Sequence, residues 1–354
     1  MTRLNRQQQG RPARRPDYRI TLEGQQISPE VNARLISLTL VDRRGLESDQ
    51  LDITLSDHDG KLALPPRGAE LQLAIGWLGE GLVDRGTFVV DEVEHSGAPD
   101  VLIIRARAAD LRQQLPTKRS QSFHEISLGD IIATIAGRHD LMPRASDRLA
   151  DIAIEHVDQT DESDAHFLTR LATRYDADAT IKAKHLLFVP KGAGRTASGQ
   201  PIPPITLTRS DGDNHRYVVT DRNAYTGVIA WWHDPVSAQR HPVLVGSDVR
   251  PKSLRGNQAN ADDALAEAQA EWQRVRRSGS QLTLQLAEGR PALAPETPVI
   301  AKGYKPDIDD TDWVATEVTH TISDGGYTCS VSCEVLGAED ENLQDAEEEF
   351  DDGE

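Results

Sequence analysis

The sequence predicts an α+β chain, mainly β: two related antiparallel β-barrel-like units with inserted helices and additional small β domains. Three observations carry this reading. Short alternating apolar segments recur at roughly ten-residue spacing over residues 17–110, the pattern of a barrel or sandwich. Between 127 and 277 three segments switch to a helical period. The two ends of the chain also share an order of short matches: DGKLALPP (59–66) with EGRPALAP (288–295), IGW (75–77) with KGY (302–304), and FVVDEVEH (88–95) with WVATEVTH (313–320). Their offsets of 229, 227 and 225 are nearly constant, which places one β unit at each end around inserted material.

Residues 1–16 hold five arginines and no acid and read as a disordered basic arm. The first β unit, 17–115, contains DYRITLEGQQI, ARLISLTLVD, LDITLSD, ELQLAIGW, GTFVVDEVEH and DVLIIRARAADL, broken at DHDG, PPRG and SGAPD. A helical and β insert occupies 116–190. In SLGDIIATIAGRHDL, Ser127 is placed to cap a helix with Leu128, Ile131, Ile132 and Ile135 on one face. A second helix is expected over 163–175 and strands over 178–189. The second insert, 191–279, opens on a Gly- and Pro-rich loop, continues as strands, and ends in a helix over 261–277 behind Asn260. That helix carries its acids early and its arginines late, as the helix dipole favours. The second β unit, 280–337, has strands expected at 280–287, 298–304, 312–321 and 326–336. Residues 338–354 read as a disordered acidic tail with ten carboxylates and no base.

Composition narrows the function. An apolar fraction of 38% with 5% aromatics favours several small cores stabilised by association over one large core. No apolar run approaches the length of a membrane span, and the first residues lack the apolar stretch of a secretory signal. Cys329 and Cys333 lie on one strand face roughly 13 Å apart, too far to bridge, and imply a reducing compartment during synthesis. Removing the tail's ten carboxylates from a net charge of −18 leaves −8 on the body, unlike the basic face of a nucleic-acid binder.

DQTDESDAHFLTRLATRYD (158–176) packs Asp158, Asp161, Glu162, Asp164 and His166 together before turning helical. Calcium-loop spacing and HExxH are both missing, so we read a helix start with Ser163 or Asp161 as cap. DHD (57–59) reads as a turn, and His95 and His320, at equivalent repeat positions, as hydrogen-bonding groups. Of Trp231 and Trp232 one is expected to face core and the other an interface. No catalytic residue, cofactor or metal ligand is assigned. A wall-degrading enzyme and a carbohydrate-binding adhesin are the alternatives, separable by a peptidoglycan clearing assay and a glycan pull-down.

The run Gln159, Glu162, Ser163, Asp164, Phe167, Leu168, Arg170 and Leu171 resembles a signature of contractile-injection baseplate hubs. These are the phage late-control protein D family, its relatives in phage-tail-like bacteriocins, and the N-terminal half of type VI secretion spike proteins. The resemblance takes in SLGDIIATIAGRHDL, AEWQRVRR, LAEGRPALAPETPVIAKG and WVATEVTHTISDGGYTCSVSCEV, most of 17–337. Asp161 stands where Asn is common and Asp176 where Gly usually ends the helix. Asp adopts the left-handed conformation less readily, so a different helix end is expected. The resemblance implies two tube domains per chain and a homotrimeric ring adapting a six-fold tail tube to a three-fold spike. It implies a virion tail baseplate or bacteriocin particle assembled in the host cytoplasm. Implied partners are a tail tube protein, a trimeric spike protein, tape-measure protein and baseplate wedge, with no membrane and no specific nucleic-acid binding. Because the chain stops soon after the second unit, the spike is expected as a separate chain. A net acidic body suits a conduit through which DNA slides.

Overall fold

The computed structural model describes residues 14–46, 49–109, 117–182, 184–196, 198–220 and 225–337. The basic arm up to residue 13 and the acidic tail over 338–354 lie outside these. Within the arm's expected bounds Arg14 is described: its guanidinium contacts Glu80 and Glu288, and Pro16 opens the first strand.

The first unit contains β1 (Pro16–Leu22), β2 (Gln25–Gln26), the short helix α1 (Ser28–Asn32), β3 (Leu35–Arg43), β4 (Gln50–Ser56), β5 (Glu70–Trp77), β6 (Gly81–Ser96) and β7 (Val101–Ala108). Alternation drives these strands: β3 and β4 bury every second side chain, among them Leu38, Leu40, Leu51 and Ile53. The insert holds β8 (Lys118–Ser127), α2 (Leu128–Arg138), β9 (Met142–Ala145), α3 (Asp147–Ala150), β10 (Ala153–Ser163), α4 (Asp164–Arg174), β11 (Ala177–Lys182) and β12 (His185–Pro190). Then come β13 (Ile205–Thr208), β14 (Gly212–Val219), β15 (Gly227–Asp234), β16 (Gln239–Gly246), β17 (Pro251–Ser253) and α5 (Ala261–Ser278). The chain returns through β18 (Ser280–Leu286), β19 (Pro298–Lys302), α6 (Pro306–Asp309), β20 (Asp312–Ser323) and β21 (Gly326–Val335).

Helix starts obey local chemistry. The side chains of Ser127, Ser163 and Asn260 accept hydrogen bonds from the N–H groups of Asp130 (3.1 Å), His166 (3.2 Å) and Asp263 (2.8 Å), so each caps its helix. The sequence reading differs at the acidic cluster. Asp158, Asp161 and Glu162 sit on β10, not in the first turn of a helix, and β10 pairs antiparallel with β8. That ribbon shifts register between Gln159 and Glu162, where Asp161 adopts φ 48. Asp176 takes φ 48 just beyond α4, so the left-handed helix end forms with aspartate in place of glycine.

One thirteen-stranded sheet spans both units in the path β14-β18-β21-β20-β3-β4-β7-β6-β5-β1-β2, with β19 on β20 and β13 on β19. The unit at the end of the chain therefore includes β13 and β14, which precede residue 280 and fall in the insert by the expected boundary. Both units share one pairing plan. In the first it is β1-β5-β6-β7-β4-β3; in the second, β13-β19-β20-β21-β18-β14. They differ in that β1 runs antiparallel to β5 whereas β13 runs parallel to β19. A single buried core fills both units, from Ile20 and Phe88 to Trp313 and Val331. A second core, around Ile131, Phe167 and Phe188, fills the insert, and a third, small one packs β15 against α5.

Candidate assembly site

The eight signature residues pack at one junction of β8, β10, α2 and α4. Asp164, fully buried, accepts hydrogen bonds from Arg138 (2.7 Å) and Gln159 (2.9 Å) at one oxygen and contacts His139 Nε2 (2.8 Å) at the other. Burial pushes this carboxyl up. Hydrogen bonds from Gln159 and His139 and the charges of Arg138 and Arg119 outweigh it and hold the group below its ordinary range. Gln159 also donates to the Glu162 carbonyl at 2.9 Å, tying the bulge to the helix start. Glu162 receives Arg170 at 2.8 Å, which lowers its pKa, and Arg170 lies 5.0 Å over the Phe167 ring. Phe167 stacks on Phe123 at 5.8 Å, while Leu168 and Leu171 are buried beside it. Gln159, Glu162, Asp164 and Arg170 are all paired in this way, which is the geometry of a folding joint.

A second charged cluster escaped the sequence reading. Arg44, between β3 and β4, lies with its side chain 7% exposed. It contacts Asp178 of the insert (3.4 Å) together with Glu296 and Glu334 of the second unit. Arg277 of α5 pairs with Asp176 and reaches Glu334 at 3.4 Å. Five segments far apart in the chain thus share one buried ion network. No local signal marks it, since its partners lie in different stretches of the sequence. Burial, opposed by Arg44 and assisted by Asp178 and Glu334, pushes Glu296 up to about 7.

The remaining candidates resolve into structural contacts. Asp57 and Asp59 bound a turn in which Asp57 accepts from the Leu62 N–H at 3.0 Å and lies 3.2 Å from His95 Nε2. His320 is buried between Tyr327 Oη (2.8 Å) and the Leu293 carbonyl (3.2 Å). Trp232 packs on the small third core, whereas Trp231 donates to Ser253 Oγ at 3.1 Å beneath Arg240. Cys329 and Cys333 are both buried free thiols. Among the described residues no group of three or more His, Cys, Asp or Glu side chains is placed to hold a metal ion. None of the described helices is long and apolar enough to cross a membrane.

The arrangement is open to comparison with known proteins. The fold matches a tail protein of prophage MuSo2 from Shewanella oneidensis (TM-score 0.65, 14% identity, 90% of this chain and 98% of that one). It matches a tail protein of Neisseria meningitidis MC58 as well (TM-score 0.67, 14% identity, 90% and 96%). A type VI secretion system component of Escherichia coli shares it more loosely (TM-score 0.52, 14% identity, 87% and 74%). The fold is therefore that of tail proteins. Residues 43–326 match the family described as phage tail baseplate hub (GPD). Probable baseplate hub proteins of Escherichia phages 186 and P2 are 42% and 41% identical, over 90% and 96% of this chain and 93% and 96% of theirs. The chain belongs to the phage tail baseplate hub family, and its place is the baseplate of a virion tail.

Proposed function

We propose that three copies close head to tail into a ring of six β units, which adapts a six-fold tail tube to a three-fold spike carried on a separate chain. The observation that supports this is a matched pair of unfilled sheet edges. Within one chain the units join where β3 pairs with the end of β20, from Glu317 opposite Arg43 to Ser323 opposite Ser37. By the shared pairing plan, β14 corresponds to β3 and β6 corresponds to β20. Among the described residues β14 pairs with β18 alone, and Glu92–Ser96 of β6 pair with β7 alone. An unfilled strand edge invites another strand.

The ladders also give the register. Val93 and Val318 lie opposite Ile104 and Val331, which lie opposite Ile53 and Leu284, and these face Leu38 and His215. Two residues along, Leu40 and Tyr217 are equivalents, as are His95 and His320. His320 sits opposite Leu40 within the chain, so His95 of one copy sits opposite Tyr217 of the next. Their exposure fits: Leu40 and His320 are buried, whereas Tyr217 is half-buried and the His95 side chain is 41% exposed. The same contact repeated between copies closes a cyclic assembly without leaving either edge open. In this reading the eight signature residues are structural, holding the insert outside the ring. Tape-measure and wedge contacts fall on the faces of the ring, and assembly takes place in the host cytoplasm.

Antiparallel partners directly opposite lie about 5 Å apart at Cα, within reach of a disulfide. Mild oxidation of His95→Cys/Tyr217→Cys should yield a covalent trimer on a non-reducing gel, and either single variant should not. A wild-type solution mass that stays monomeric at micromolar concentration, with no cross-linking of the double variant, would overturn the ring.

A further inference from the structure

We propose that an aromatic corner of the second unit, Tyr304 with Arg209 above its ring, seats on the Gly60–Leu64 loop of a second copy of this chain. This docking rests on the ring reading and adds a contact away from the strand edges. Two matched loops differ in one respect. In EGRPAL (288–293), Gly289 and Leu293 are buried, whereas in DGKLAL (59–64) Gly60 is exposed and Leu64 is 59% exposed. The backbone does not cause this, because both loops rejoin the sheet through the same hydrogen bonds. The N–H groups of Gly68, Ala69 and Val90 donate to the carbonyls of Val90, Pro66 and Ala69. Those of Glu296, Thr297 and Ala315 donate in the same way to Ala315, Ala294 and Thr297.

The difference lies in what covers each loop. Within one chain the first unit lies over 288–293. Trp77 donates its indole N–H to the Gly289 carbonyl at 3.0 Å, Arg85 donates to the Leu293 carbonyl at 2.8 Å, and Arg14 reaches Glu288 at 3.3 Å. Trp77 is itself buried, with the Arg14 guanidinium 4.6 Å over its ring.

The second unit repeats this corner and leaves it half-open. The ladders carry Glu70 onto Pro298 and, past the bulge between Gln72 and Ala74, Trp77 onto Tyr304. Arg209 lies 6.0 Å over the Tyr304 ring, as Arg14 lies over Trp77, although β1 and β13 run in opposite directions. Tyr304 is half-buried, with His215 of β14 4.9 Å away between ring centres. In the first unit, β3 and the Trp77 corner meet one neighbour. Their counterparts, β14 and the Tyr304 corner, therefore meet one neighbour too, and that relation sets Tyr304 on Gly60 and covers Leu64. One departure is answered across the contact. Arg85 falls on Asp310, and the loop that Asp310 would meet carries Lys61, its side chain 78% exposed and 3.7 Å from Asp59.

Photocross-linking tests it. With p-benzoylphenylalanine in place of Tyr304, irradiation of the full chain should give a dimer on a denaturing gel, its cross-link mapping to residues 60–64 of the other copy. Leu64→Asp, at a site open to water in the single chain, should leave thermal melting of the dilute chain unchanged and weaken trimer formation about tenfold by sedimentation. Trimers that form without that cross-link, or that are indifferent to Leu64→Asp because Leu64 meets a different protein, would overturn the docking and leave the ring standing. A chain that stays monomeric, with no cross-linking of His95→Cys/Tyr217→Cys, would overturn both.

Discussion

The guanidinium group of Arg277 grips both carboxylate oxygens of Asp176, although 101 residues separate them. Asp176 sits at the left-handed end of α4, and Arg277, with its side chain 4% exposed, lies near the end of α5. The pair explains why aspartate serves where glycine would relieve backbone strain: its carboxylate answers a buried cation. Asp176→Gly should therefore destabilise the chain by about 2 kcal/mol in urea melts, because an orphaned buried charge outweighs the relaxed turn. A stabilised variant would refute this account.

The ion network around Arg44 predicts a pH response with a definite sign. Glu296 has a pKa near 7, above the ordinary glutamate value, so the folded chain holds a proton that the unfolded chain releases as pH rises. Its contribution is present below the ordinary glutamate range and is lost as pH rises through 7. Glu296→Gln should gain about 1–3 kcal/mol relative to wild type between pH 5 and pH 8, read from melting curves at both values. An unchanged difference would remove Glu296 from the alkaline limb.

His320 acts in the opposite direction. Burial, helped by Arg85, lowers its pKa to about 3, so the unfolded chain takes up a proton near pH 6.5 that the folded chain refuses. Stability from this group is present above 6.5 and falls as pH drops toward 3. Acid melts should show this loss, and a His320→Gln variant should show a flatter profile over the same window.

Two aligned glycines should respond differently to a methyl group. Gly60 has φ +65 with open space around it, so Gly60→Ala should cost about 1 kcal/mol through the backbone alone. At Gly289 a Cβ would meet the Tyr327 ring at 2.4 Å, beside Trp77, whose indole N–H donates to the Gly289 carbonyl. Gly289→Ala should cost about 2–3 kcal/mol by forcing the Gly289 connection and the Tyr327 ring apart within the second unit. Thermal melts of the two variants decide it; equal shifts would contradict the packing argument.

Much of this architecture was legible locally. Capping residues announced α2, α4 and α5 because each cap bonds within three residues of itself. The repeat was legible because Gly60 and Gly289 keep their places in the equivalent β4–β5 and β18–β19 connections, and His95 and His320 theirs in the equivalent strands β6 and β20. What escaped was non-local. β14 reads as part of the insert since its partner β18 lies beyond β15–β17 and α5. The acids of β10 read as a helix start because a bulged, two-stranded polar ribbon has no alternation to show. The network of Arg44, Asp178, Glu296 and Glu334 exists only once four segments meet, so no window of sequence contains it.

The hydrogen-bonded seam between β3 and β20 has a mechanical corollary. Two modules on a flexible tether could tilt against each other, and any arc they formed would have to be imposed from outside. Here a shared backbone ladder, backed by the Arg43–Glu317 ion pair at 3.0 Å, sets their mutual angle within a single polypeptide. Stiffness at this joint is thus a property of one chain alone.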